Sequence, residues 1–518
     1  MNLYLAAKMT EFKFVARIID LYTEERIAVI NSKDAMRLDI KPFDRIRIRK
    51  GEKAVYSSVY LSEKLTESGV IGVTKVVADA VGLKDRDEVL VELAPQPLSL
   101  VYIKKKMKGE TLTKDEIHKI VEDIATGNIG PLETLAFALT EYFVGLDMNE
   151  IEYLTRSMAE VGDRLDFGEP VYDKHSIGGV PGNKVSLLIV PIVAASGLLI
   201  PKTSSRAITS PSGTADTMEV LTNVELEAEE IIKIAKKVRG CIVWGGMLNL
   251  APVDDLIIRV EYPIGIDPEP QMMASILAKK LAVGVNNLVL DIPTGKGAKV
   301  ETIEEAERLA RKFIEMGDRL GIHIRCGITY GEQPVGHAVG PALEAKEALK
   351  ALMGEGPASL IEKSLSLAGL LLEMGGIAPI GSGYSVAKEI WRKGEAYEKM
   401  KQIIEAQGGN PNIKPEDIPI GEHIHTIYSP VDGYVTKVDN RAITEIARAA
   451  GAPRDKGAGV LLYVKRGYKV RKGEKIMEIY AERSTKLQDA IRVLNRYLPV
   501  VVEGMLLKTV SKGEMYLS

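Results

Sequence analysis

A multidomain α/β protein is the fold class this sequence predicts, and three observations predict it. Short segments, FKFVARII, RIAVI, DRIRIRK and AVYSSVYL, fill the first hundred residues with the period of two that half-buried strands require. From Leu112 to Leu165 the apolar spacing lengthens to that of helices. From Val171 to about Gln407 apolar strands alternate with helical stretches, which calls for a sheet with crossover helices.

Taken in order, residues 1–95 read as a small β-rich N-terminal domain, and APQPLSLVY after it reads as a Pro-containing linker. Residues 96–170 read as a helical bundle. Its segment LTKDEIHKIVEDIATG opens with Thr113 and has Glu116 three residues later, the pairing of a capping box. A central α/β domain with a mixed sheet follows over 171–246 and 283–418, interrupted by the helix-rich stretch 247–282. Residues 419–518 carry SPVDGYVTKV and GYKVRKGEKIMEIYAE, strands with Gly turns, as an α+β tail.

Composition excludes several function classes. A net charge of −3 over 518 residues provides no global field to recruit nucleic acid. The lysine cluster KKKMK, Lys104 to Lys108, reads as a solvated linker. No apolar stretch reaches membrane-spanning length, and the N-terminus lacks a basic region followed by an apolar one. Two cysteines, Cys241 and Cys326, cannot build a disulfide framework, so a reducing, cytoplasmic setting is expected. His423 and His425 stand two apart with no carboxylate or Cys partner nearby, so they read as linker residues and no metal site is expected.

Chemistry concentrates in two loops. DKHSIGGVPGNK, Asp173 to Lys184, sets Lys174, His175, Ser176, three glycines and Lys184 ahead of the apolar run VSLLIVPIVAA. Glycines turn backbone N–H groups toward a ligand, hydroxyl and ammonium groups add charge-assisted bonds, and a following helix offers its positive N-terminus, so the loop suits an anion. It is not an ATP-binding Walker loop, because Lys184 follows Asn183 rather than Gly and precedes Val185 rather than Ser or Thr. The second stretch, SSRAITSPSGTADTMEV from Ser204, surrounds Arg206 with hydroxyls. Two polar cradles at successive strand-to-helix turns suggest one phosphate site.

These two stretches, with SILAKK at Ser275 to Lys280 and TGKGAK at Thr294 to Lys299, resemble the thymidine and pyrimidine-nucleoside phosphorylase family in order and spacing. The similarity runs from about Leu112 to the C-terminus. It implies that 247–282 rejoins the helical bundle, leaving a cleft between two lobes, and that the tail is barrel-like. It also implies phosphorolysis at C1′ of a ribose, with inorganic phosphate as co-substrate and no cofactor. Lys174 and Ser176 would hold that phosphate, helped by Ser186 and Ser204, with Gly179 permitting close approach. The nucleotide would contact Ser205, Arg206, Ala207, Ile208, Thr209, Ser210 and Thr214. Arg259, Ser275 and Lys279 would flank the base, while the role of His175 stays open.

The chain departs from the bacterial pattern at three places. Lys299 replaces a bulky apolar residue and offers a cation to a 5′-phosphate. AITSPSGT replaces a more Gly-rich turn. The loop GIDPEPQ is rearranged around Asp267, which would protonate the leaving base as a general acid if domain closure buried it. With nearly a hundred extra N-terminal residues, these departures resemble the archaeal AMP phosphorylase branch. The resemblance implies nucleoside 5′-monophosphates as substrates, AMP first with CMP and UMP, yielding free base and ribose 1,5-bisphosphate. It also implies a homodimer or larger homo-oligomer. A pyrimidine nucleoside phosphorylase and a non-catalytic nucleotide-binding protein are the alternatives.

Overall fold

The computed structural model describes residues 11–23, 25–207 and 209–504. The chain forms two compact units, one of residues up to Val161 with Ala251–Ser275, the other of Gly162–Leu250 with residues from Ile276 onward.

The first unit opens with six strands, β1 (Phe12–Ile18), β2 (Ile27–Asn31), β3 (Arg45–Lys50), β4 (Lys53–Ser62), β5 (Val70–Val73) and β6 (Glu88–Leu93). They close into a barrel in the order β1-β5-β2-β4-β3-β6, with β1 and β6 antiparallel across the seam. Alternation explains the closure. In β3, Ile46 and Ile48 point into the barrel and are fully buried, while the arginines between them face out. Burying each such isoleucine contributes about 1.5–3 kcal/mol.

The expected linker is shorter than the sequence suggests. Only the segment up to Pro97 is non-helical; Leu98–Met107 is a helix that starts directly after the proline. The lysine cluster therefore lies on a packed helix and not in a solvated linker. Lys106 is buried and pairs with buried Glu150 at 2.6 Å, and Glu150 also accepts the Leu112 N–H. Composition alone reads five successive polar and apolar residues as solvated; burial of one lysine against one carboxylate reverses that. The helix Lys114–Ala125 has the expected capping box, with Thr113 and Glu116 bonded reciprocally. Helices Pro131–Phe143, Met148–Glu160 and Pro252–Glu261 complete the bundle.

In the second unit, β7 (Val171–Ser176), β8 (Ile200–Ser204), β9 (Gly240–Trp244), β10 (Val285–Thr294) and β11 (His323–Tyr330) form the central layer. β11-β10-β7 and β8-β9 pair in parallel, and a parallel bridge from Val171 to Leu199 joins them. Every pairing among these strands is parallel, where a mixed sheet was expected, because each return to the sheet runs through a crossover helix. The helix Ser186–Ala195 is buried on all sides, as its unbroken apolar run requires.

The C-terminal strands make two separate antiparallel sheets rather than a closed barrel. One joins Ala338–Val339, Gly459–Leu462, Lys475–Ala481 and His423–Tyr428; the other joins Lys469–Val470, Gly433–Val438 and Val500–Glu503. A short strand from the central region covers one edge of the first sheet, so the tail needs no closure of its own. His423 and His425 belong to a strand here, and not to a linker. Among the described residues no helix is long and apolar enough to cross a membrane.

Candidate active site

Both polar loops leave the carboxyl ends of adjacent parallel strands, the first from Ser176 at the end of β7 and the second from Ser204 at the end of β8. Ligands of open parallel sheets bind at such ends. Between the loops lies a cavity of about 570 Å³. Lys174, Ser176, Gly179 and Ser186 line it from the first side, and Ser205, Arg206, Ala207, Thr209, Ser210 and Thr214 from the second.

The first loop is shaped by conformation. Gly179 has φ +86°, and a Cβ there would lie 2.8 Å from the backbone nitrogen of Lys299, so only glycine fits. Asn183 donates from Nδ2 to the Ser176 hydroxyl at 3.1 Å and to Asp291 Oδ2 at 3.2 Å. Lys184 does not join the cradle's charge. Its buried ammonium donates to the carbonyls of Val335 and Ala338 and pairs with Glu347 at 2.5 Å.

The second loop is held by one carboxylate. Asp216 Oδ2 accepts the N–H of Ala207 at 2.7 Å and of Gly213 at 2.9 Å, pinning both ends of the turn. Arg206 lines the cavity, yet its guanidinium grips Glu219 through two bonds of 2.6 and 2.7 Å, pairs with Glu225 at 2.7 Å and stacks 4.8 Å over the Trp244 ring. Hydrogen bonds from Arg206, then Lys456, hold the Glu219 carboxyl at about 2. Arg206 thus fixes the loop, and the hydroxyls of Ser205, Thr209, Ser210 and Thr214 carry its donors.

Beneath both loops lies a buried cluster of opposite charges with cations in excess. Asp173 sits 2.6 Å from Lys280 and 3.3 Å from Lys202; Asp291 sits 3.4 Å from Lys174 and 3.0 Å from Lys363. Burial opposes ionisation of Asp291, but Lys174, Lys363 and a 2.6 Å hydrogen bond from Thr329 outweigh it and hold the carboxyl at about 2. Burial pushes Lys174 down to about 8 against the pull of Asp291, and pushes Lys202 down to about 7, with Lys280 and Lys174 adding to the effect. Four ammonium groups facing two carboxylates leave a field that a bound anion would neutralise. Burial, then the nearby lysines, drive His175 well below its usual range, so this cavity-lining imidazole is neutral.

Three family models match the chain: the helical bundle domain of a glycosyl transferase family over 101–162, that family's a/b domain over 168–397, and the pyrimidine nucleoside phosphorylase C-terminal domain over 434–500. The AMP phosphorylase of Thermococcus kodakarensis is 54% identical over 496 residues, covering 95% of this chain and 98% of that protein. The chain belongs to the AMP phosphorylase family. Family members from Methanocaldococcus jannaschii (50% identical, covering 96% and 99%) and Archaeoglobus fulgidus (AMP phosphorylase 1; 52%, 93% and 96%) match similarly. Among solved structures, anthranilate phosphoribosyltransferase from Thermus thermophilus shares the fold at a TM-score of 0.50 and 20% identity, covering 59% of this chain and 99% of that one.

For this AMP phosphorylase family member, the remaining expected residues stand as follows. Lys299 is exposed, outside the cavity lining, with its backbone against Gly179. Ile208 lies outside the described residues. Asp267 and Ser275 belong to the first unit: Asp267 is exposed on the turn before the helix Glu269–Val283, and Ser275 is half-buried within that helix. Arg259 is in the last turn of Pro252–Glu261, and Lys279 is half-buried on the same helix as Ser275.

Sequence reasoning missed Lys202, Asp291 and Lys363, and the contribution of Asn440–Ala449, whose Asn440, Arg441, Thr444 and Glu445 also line the cavity. A signal existed for two of them. Lys202 follows Ile200 and Pro201 in its strand and Asp291 stands between the apolar run Leu288–Leu290 and Ile292, stretches where an unpaired charge is rarely tolerated.

Proposed function

We propose that the chain catalyses the phosphorolysis of AMP. An oxygen of inorganic phosphate bonds to C1′, the N-glycosidic bond breaks with its electron pair leaving on the base, and the products are adenine and ribose 1,5-bisphosphate. Family membership supports the reaction class, and the observation that carries the assignment of the site is the single cavity walled by both loops over an excess of buried lysines.

On this reading Lys174, Ser176 and Ser186 bind inorganic phosphate at the helix N-terminus, and the field of the lysine cluster orients it below C1′. Gly179 lets the ligand close on the backbone, and the N–H and hydroxyl groups of residues 205–210, with Thr214, hold the nucleotide. Lys299 assists at the rim, Ser275 meets the base, and Asp267 gives the departing base its proton. CMP and UMP are further substrates. The protein acts as a homodimer or larger homo-oligomer in the cytoplasm, in keeping with its two free cysteines.

Base release from AMP and from thymidine, each with and without phosphate, tests the reading. Adenine release that requires phosphate is the expected result. Thymine release alone would assign a nucleoside phosphorylase, and binding without turnover a nucleotide-binding protein.

A further inference from the structure

The first loop ends against the stretch 334–338, which lies between β11 and the helix Pro341–Leu352. Val335 donates its N–H to the Pro181 carbonyl at 3.1 Å, and a Cβ on Gly182 would stand 2.8 and 2.9 Å from the carbonyls of Val335 and Ala338. Lys184 grips those same two carbonyls, and Glu347, which accepts its ammonium, also accepts the His337 N–H at 3.0 Å. Ser186 follows two residues later and opens the next helix, so this stretch sets the path of the loop into that helix.

The same stretch is held from the C-terminal region. Lys465 donates to the Pro334 carbonyl and, at 2.7 Å, to that of Gly336, while the Leu462 N–H donates to the His337 carbonyl at 2.9 Å. All five successive carbonyls from Pro334 to Ala338 are thus taken, by Lys184, Lys465 and one strand N–H. Ala338 and Val339 also pair with Leu461 and Val460. Lys465 is buried, and burial, then the neighbouring Lys184, pushes it down to about 7 against the pull of Glu347. An apolar side chain would carry no such electrostatic cost, so stability of the fold alone does not account for a lysine here.

We propose that Lys465 is a positioning residue for the inorganic phosphate: with Lys184 it fixes the stretch 334–338, and through that stretch the C-terminal region sets the course of the first loop into Ser186. This rests on the phosphate role proposed above for Lys174, Ser176 and Ser186. Lys465 is not among the residues that line the cavity, so it acts through the loop and not on the ligand. Asp216 pins the second loop separately, so a loosened stretch displaces one wall of the cavity and leaves the other in place.

Calorimetric titration of wild type, Lys465→Met and Val435→Ala with inorganic phosphate, and separately with AMP, tests this. Lys465→Met leaves the Pro334 and Gly336 carbonyls without their donor. The Kd for phosphate should rise about 10- to 100-fold, as for a small misplacement of the binding groups, with the Kd for AMP changed less than about threefold. Val435→Ala, a truncation in the C-terminal core, should lower the melting temperature and move neither Kd. Lys465→Gln, whose amide still donates, should show the same split at smaller size, and it carries the test if Lys465→Met does not fold. An unchanged Kd for phosphate in the Lys465 variants, or equal rises for phosphate and AMP, overturns the assignment. Failure of the underlying reaction shows separately, as wild-type protein that binds phosphate yet releases no adenine from AMP.

Discussion

Lys174 and Asp291 face each other at 3.4 Å, both buried, on neighbouring strands β7 and β10. The pair couples stability to function, because Asp291 also anchors Lys363 and accepts from Asn183 and Thr329. Asp291→Asn leaves two buried ammonium groups without their counter-charge. Such a loss destabilises by about 3–5 kcal/mol, and a lowered denaturation midpoint together with weaker phosphate binding is the expected result. A midpoint equal to wild type would show that the lysines are held another way.

Phosphate affinity should depend on pH through Lys174 and Lys202. Burial lowers these groups to about 8 and about 7 in the unliganded protein, and a bound anion raises both. A group whose pKa is raised on binding contributes fully below its unliganded value and loses that contribution as pH rises through its liganded value. Binding should therefore take up protons near neutrality and weaken on the alkaline side. Calorimetry in buffers of different ionisation enthalpy measures the uptake, and Lys202→Met should reduce it.

Asp267→Asn tests the acid. The expected outcome is a fall in kcat of about 10²- to 10⁴-fold with little change in the KM for phosphate. An unchanged kcat would remove Asp267 from the chemistry.

Gly179→Ala forces a side chain into φ +86° and onto the backbone nitrogen of Lys299 at 2.8 Å. Strain of roughly 1–3 kcal/mol is expected, expressed as a displaced loop, a raised KM for phosphate and a lowered melting temperature. Wild-type kinetics in this variant would mean the loop is free to shift.

Deleting the N-terminal barrel tests its role in assembly. The cut belongs before Leu98, since Lys106 on the helix that starts there is paired with Glu150 in the bundle. Light scattering should show loss of the larger species with the dimer retained; an unchanged mass would assign the barrel a purely stabilising role.

Much of this molecule is legible one segment at a time. The period-two isoleucines of β3, the Thr113 capping box and the two glycine- and hydroxyl-rich turns are local signals, because strand alternation, helix capping and positive-φ turns are set by neighbours in sequence.

What tertiary structure alone decided is where charge goes. Nothing local distinguishes Lys106, Lys184 and Arg206, each spent on a carboxylate, from Arg441, which is left to face the cavity. Nor does any local pattern gather Lys202, Asp291 and Lys363 under the two loops. Ion pairing is set by distance in space between residues up to 240 positions apart, and a sequence carries the charge of each group but not the counter-charge it meets.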